Sequence, residues 1–298
     1  MDRIIKESYY VASGKNSLHV KRLFVDNGGE PVAMLHGSME DGRIFYSRKM
    51  QGLAPYLALQ GYDVFVVDMS ARGKSKPPLA RNTPDNQTTA IVEEIPAFKS
   101  FIDEIKGNRK QHWVAHSWGG VLMLAYVARF GGAGIASMSF FATKRRISVV
   151  HPERIFKVDI VWNIIGKILA NIYGYFPSKH LKIGSDNEPK HYHRQVVDWV
   201  YKRKWIDLVD GFDYNAAFKE VVVPPTLYLA GKNDAFLGHP TDVQKLIKEV
   251  GGTQDKFVLL SKATGHLHDY DHVNILTHPD APKDQFPLVV EWMKQWGG

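Results

Sequence analysis

The chain has no cysteine among its 298 residues. That excludes disulfide bonds, thiolate zinc sites and a cysteine nucleophile, and leaves the redox compartment undetermined. Long apolar runs are missing too. No uninterrupted stretch approaches the ~20 residues needed to cross a bilayer, and residues 1–8 lack the apolar core of a secretory leader, so a cytoplasmic protein is expected. Internal repeats and low-complexity tracts are absent. With 44% hydrophobic residues, the composition suits a folded domain with a sizeable core.

Charge is unevenly spread. The formal net charge is +7, yet residues 144–204 hold 13 Lys and Arg against 5 Asp and Glu, leaving 25 basic and 26 acidic residues elsewhere. The excess therefore belongs to one segment. No helix-turn-helix, zinc-finger or RNA-binding signature accompanies it, so nucleic acid is not an expected partner. An anionic membrane surface or an acidic ligand remains compatible with such a patch. Gly73-Lys74-Ser75 mimics the end of a phosphate-binding loop, but Asp68 stands where the earlier glycine is required, so nucleotide binding is not supported.

Apolar strands alternating with helical patterns are what the sequence does contain. Pro31 to Leu35, Asp63 to Asp68, Gln111 to Ala115, Ile135 to Phe141, Thr226 to Gly231 and Lys256 to Leu260 read as strands. Leu18 to Val25 alternates like an exposed one. Helices fall around 50–59, 88–105, 118–130, 241–250 and 283–296. Fully apolar strands interleaved with helices predict an α/β fold, with a mostly parallel sheet covered on both faces. Residues 143–215 break the rhythm with amphipathic, aromatic-rich helical patterns and no clear strand. They are expected to form a helical cap inserted into a core made of 1–142 and 216–298, lying over the strand ends where open sheets place their sites.

Chemistry concentrates at Trp113-Val114-Ala115-His116-Ser117-Trp118-Gly119-Gly120, where an apolar strand ends on a lone Ser and a helix starts at once. Such a nucleophile elbow forces strained angles at the Ser and needs small neighbours two residues away on either side. Ala115 and Gly119 meet that need, although Ala replaces the usual first Gly. Helix capping by Ser117 is the plainer alternative. A serine hydroxyl needs a base, and the base needs a carboxylate to orient it. Asp234, directly after the strand 226–231, is the expected acid, with Asp210 or Asp213 as the fallback. His266, His268 and His272 are the candidate bases. His272 is placed first because Val273-Asn274-Ile275-Leu276 and Ala281-Pro282 come after it, whereas the other two lie in a polar loop. The same histidine-rich run departs by one residue from the H-x-H-x-D-H order, so no metal is expected, and the chemistry needs no cofactor. The backbone amides of Ser38, after His36-Gly37, and Trp118 are the expected oxyanion donors.

These motifs together resemble the α/β-hydrolase superfamily, in particular its monoacylglycerol lipase and lysophospholipase branch. His36-Gly37-Ser38-Met39-Glu40-Asp41-Gly42-Arg43 is similar to that branch's oxyanion segment, and Gly61-Tyr62-Asp63 to Asp68 with Arg72-Gly73-Lys74-Ser75 to its next strand and loop. His116-Ser117-Trp118-Gly119-Gly120 is similar to its elbow, and Tyr270-Asp271-His272-Val273-Asn274 with Ala281-Pro282 to the catalytic His segment of related lipases. Departures are Ala115, and Asp271 and Asn274 where relatives often carry Gly and Asp. The resemblance implies a serine hydrolase with a Ser117, Asp234, His272 triad and residues 143–215 as its variable cap, which does not carry the substrate over; the apolar content of that cap suits carboxylic esters with an acyl chain or another hydrophobic group. Acyl transfer, thioester cleavage, and C–C or amide hydrolysis would use the same triad, and a silent ligand-binding homologue would share the fold. Ser in place of Asp at the elbow argues against haloalkane dehalogenase and epoxide hydrolase chemistry.

Overall fold

The computed structural model describes residues 4–26 and 28–297. Its main sheet comprises β1 (Ile5–Ser13), β2 (Asn16–Phe24), β3 (Pro31–Leu35), β4 (Asp63–Asp68), β5 (Gln111–His116), β6 (Ile135–Phe141), β9 (Thr226–Gly231) and β10 (Asp255–Leu260), while β7 (Tyr175–Phe176) and β8 (Glu188–Pro189) form a separate pair. The order in the main sheet is β1-β2-β4-β3-β5-β6-β9-β10. β1–β2 and β2–β4 pair antiparallel, and every other neighbouring pair is parallel. Every residue of β3, β4, β5, β6 and β9 is buried, as both faces of a covered parallel sheet require.

Alternate side chains along each strand feed two cores. Ala33, Leu35, Trp113, Ala115 and Met138 pack with helices Ile95–Lys106, Trp118–Phe130 and Pro240–Val250. Val32, Met34, Val64, Val66 and Leu229 pack on the opposite face with Leu53–Leu59 and Phe286–Trp296. The chain is thus a three-layer α/β fold with helices on both faces of the sheet.

Strand order explains where chemistry can occur. From β3 the chain moves to β4 on one side and returns to β5 on the other, so the loops after β3 and β5 diverge and leave a crevice at their carboxyl ends. The segments containing Ser38 and Ser117 border it.

Strand β1 and the β7–β8 hairpin are not evident in the sequence. β1 lies at the sheet edge with exposed residues interspersed among part-buried ones and the buried Val11 and Ser13, and the antiparallel hairpin lies inside the 143–215 segment. Ahead of the hairpin that segment contains helix Pro152–Arg154 running into π-helix Ile155–Ile165 and α-helix Gly166–Tyr173, and helix Lys190–Tyr201 comes directly after β8. The position 215/216 falls inside helix Tyr214–Ala217.

Candidate active site

β5 delivers Ser117 on a single strained residue. Its φ of 49° and ψ of −118° lie outside the comfortable regions for a side-chain-bearing residue, and helix Trp118–Phe130 begins immediately. The turn holds because neighbouring positions are small. A Cβ on Gly119 would stand 2.4 Å from the His36 carbonyl oxygen and 2.5 Å from that of Leu35. The Ser117 side chain makes no capping bond to its helix. Its hydroxyl instead lies 3.0 Å from His272 Nε2, and His272 Nδ1 lies 2.6 Å from Asp234 Oδ2. The tautomer satisfying both partners carries its proton on Nδ1, donating to Asp234, and accepts the Ser117 proton at Nε2.

Loop packing brings three distant residues together. Asn233 N–H donates to the Tyr270 carbonyl, and Asn233 Nδ2 donates to that of Asp269, so the loops after β9 and β10 are tied side by side. Around His272, Asp271 Oδ1 accepts from the amides of Val273 and Asn274, while Asn274 Oδ1 accepts from the amide of Asp271. The two departures from the family pattern thus clamp the turn that carries the histidine. The other candidates point elsewhere: His266 pairs with Asp284, and His268 with Asp280. Asp210 pairs with Arg129, and Asp213 caps helix Tyr214–Ala217. One possible ligand atom each from His268, His278 and Asp280 lies within 4.8 Å of the others, a grouping the sequence alone does not show.

Electrostatics follow from burial. Desolvation, the largest effect on His272, pushes its pKa below the usual histidine value of 6.5; Asp234 opposes this, and His116 and Lys144 add to it. Burial pushes Asp234 up, but His272, the Gly238 amide and Lys144 outweigh it and hold the carboxyl below its usual range.

Several site residues were not legible in the sequence. His116 is buried behind His272, its Nε2 donating to the His272 carbonyl at 2.9 Å and its Nδ1 lying 2.7 Å from Glu40 Oε1. Burial disfavours the His116 cation, but Glu40 more than compensates and raises its pKa. Glu188 reaches from the 143–215 segment to accept from Ser38 Oγ at 2.7 Å, from the Met39 amide and from Arg72 at 3.0 Å, so this segment fixes the loop after β3. Among the described residues neither the Ser38 nor the Trp118 amide has an acceptor. Asp68 braces neighbouring loops, accepting from the amides of Gly42 and Lys74 and meeting His19 Nδ1 at 2.9 Å.

Above Ser117 and His272 lies a cavity of about 510 Å³ whose walls include Ile147, Val158, Trp162, Val196 and Phe236. It suits a mostly apolar ligand. No helix among the described residues is long and apolar enough to cross a membrane.

A family model described as the α/β hydrolase fold matches residues 30–163. No curated protein matches the chain. Among solved structures, it is similar to a soluble variant of monoglyceride lipase from Saccharomyces cerevisiae (TM-score 0.70, 16% identity, covering 99% of this chain and 96% of that one). A thermophilic esterase from Thermogutta terrifontis is also similar (TM-score 0.61, 16% identity, 98% and 100%). So is a haloalkane dehalogenase from Agrobacterium tumefaciens (TM-score 0.66, 15% identity, 98% and 97%). Proteins with such different names share this fold, so the reaction has to be argued from the site.

Proposed function

We propose that this chain, an α/β-hydrolase by fold, is a serine hydrolase that cleaves carboxylic esters of apolar acyl groups through an acyl-enzyme on Ser117. The observation that carries this reading is the hydrogen-bonded series Ser117, His272, Asp234 at the floor of an apolar cavity. His272 Nε2 takes the hydroxyl proton as Ser117 Oγ attacks the ester carbonyl, and Asp234 stabilises the imidazolium that forms. The amides of Ser38 and Trp118 receive the developing oxyanion. His272 returns the proton to the departing alkoxide, then activates a water that releases the acid and restores Ser117. No cofactor enters these steps. Turnover of a panel of neutral p-nitrophenyl esters of increasing acyl length tests the reading, and failure to hydrolyse any of them would count against it.

The pH dependence has a defined sign. The base must be neutral to accept a proton, and its pKa lies below 6.5 in the folded enzyme. The acid limb of kcat/KM is therefore expected to have its midpoint below pH 6.5, and a midpoint above that value in a pH–rate profile would contradict the assignment.

The partner reading extends to a membrane surface. Phe156, Ile160, Ile164, Ile168 and Ile172 form an outward stripe, each between 40% and 60% exposed, while Val158, Trp162, Gly166 and Ala170 face inward. With Lys157 and Lys167 exposed beside the stripe, the helix has the composition of one that lies in a lipid headgroup layer. Exchanging Ile164 and Ile168 for Asp is expected to lower the fraction sedimenting with phosphatidylglycerol vesicles by about ten-fold. Unchanged sedimentation would remove this part of the proposal.

A further inference from the structure

Lys144 is a cation that the ester mechanism does not use. It lies three residues beyond β6, after Ala142 in a left-handed conformation and Thr143 packed against Gly120. Its side chain is buried at 5% exposure, yet it lines the same cavity as Ser117 and His272. Among the described residues its ammonium has no hydrogen-bond or ion-pair partner, only the Trp118 ring with its centroid 5.8 Å away.

The acids whose fields reach Lys144 are Asp234, Asp242 and Glu40, and each is otherwise engaged. Asp234 holds His272, Asp242 accepts from the Ser148 amide at 2.8 Å, and Glu40 meets His116. Burial outweighs their attraction and lowers the Lys144 pKa to about 8. An ammonium at a cavity wall with little access to water and no protein counter-charge is costly to a fold. The remaining charged wall residues are Lys157, which pairs with Glu153 at 2.6 Å, Lys182 and the part-buried Glu40. Lys144 and Lys182 thus add positive charge to an otherwise mostly apolar wall.

We infer that the cavity selects amphipathic substrates carrying an anionic group, a carboxylate or a phosphate, which Lys144 binds while the apolar walls hold the rest of the molecule. Such a group would supply the counter-charge that the protein withholds. The inference rests on the hydrolase reading for its consequence in turnover, but not for the binding event itself.

The test compares three p-nitrophenyl esters of equal acyl length: pentanoate, the monoester of glutarate, and 4-phosphonobutanoate. In the wild type the anionic esters are expected to have the higher kcat/KM. In Lys144→Met the ratio of anionic to neutral kcat/KM should fall by about ten-fold or more, as loss of a charge-assisted contact implies, while Lys144→Arg retains most of it. Glutarate and phosphonate arms show which anion is preferred. A purely structural role would lower turnover of all three esters in proportion, and an unchanged ratio overturns the inference. Thermal unfolding of Lys144→Met should occur at or above the wild-type temperature, because the variant removes an unpaired charge. Calorimetric titration with hexanoate, hexyl phosphate and hexanol separates binding from catalysis. If no ester turns over but the two anions bind wild type more tightly than Lys144→Met, the hydrolase reading fails and this one stands. If neutral esters turn over while anions and hexanol bind both proteins equally, the reverse holds.

Discussion

Replacing Ser117 by Ala is expected to reduce kcat/KM for any ester the wild type cleaves by at least about 10⁴-fold, leaving only what the oxyanion donors and binding supply. The exchange deletes one oxygen from a residue whose backbone is already strained, with φ at 49°. Ala tolerates that region no better and no worse than Ser, so the cooperative unfolding transition should move little. The pairing of a large kinetic loss with a small change in stability identifies a reacting group. A thermal midpoint displaced by many degrees would instead assign Ser117 to the structure of the elbow.

The second large effect concerns the base. His272→Ala should lower kcat/KM by a similar factor, and combining it with Ser117→Ala should add little, because residues that act as one unit are not additive. His266→Ala and His268→Ala are the matched comparisons, since those rings pair with Asp284 and Asp280 rather than with Ser117. Steady-state rates on the best ester of the panel decide the matter. Equal losses at 268 and 272 would overturn the assignment of the base.

Much of this is legible along the chain because the signals are local. β3, β4, β5, β6 and β9 are continuous apolar runs since both faces of each are covered, and the elbow is visible because a Ser between strand and helix needs Ala115 and Gly119 as neighbours. Strand β1 is hidden since it sits at the sheet edge with several exposed residues, and therefore lacks an apolar run. The choice of His272 among three histidines in one loop rests on the residues C-terminal to it, Val273 to Leu276 with Ala281-Pro282. The structure gives the physical reason in the reciprocal bonds of Asp271 and Asn274. The contacts that escape are those joining residues far apart in sequence. Glu40 meets His116 across 76 positions and Ser38 meets Glu188 across 150, and no periodicity or spacing encodes such a pair. In the sequence Lys144 counts only as part of a basic segment. Its burial and lack of a partner are properties of the fold, which a tally of charge cannot distinguish from those of a solvated lysine.

The most direct test of the central claim is to treat the protein with an alkyl fluorophosphonate and map the adduct by peptide mass spectrometry. A single phosphonylated residue at Ser117, absent after prior conversion of His272 to Ala, is the predicted result, because only a hydroxyl deprotonated by that imidazole attacks phosphorus at a useful rate. An unmodified Ser117 in protein that hydrolyses esters, or an adduct confined to another residue, would contradict it.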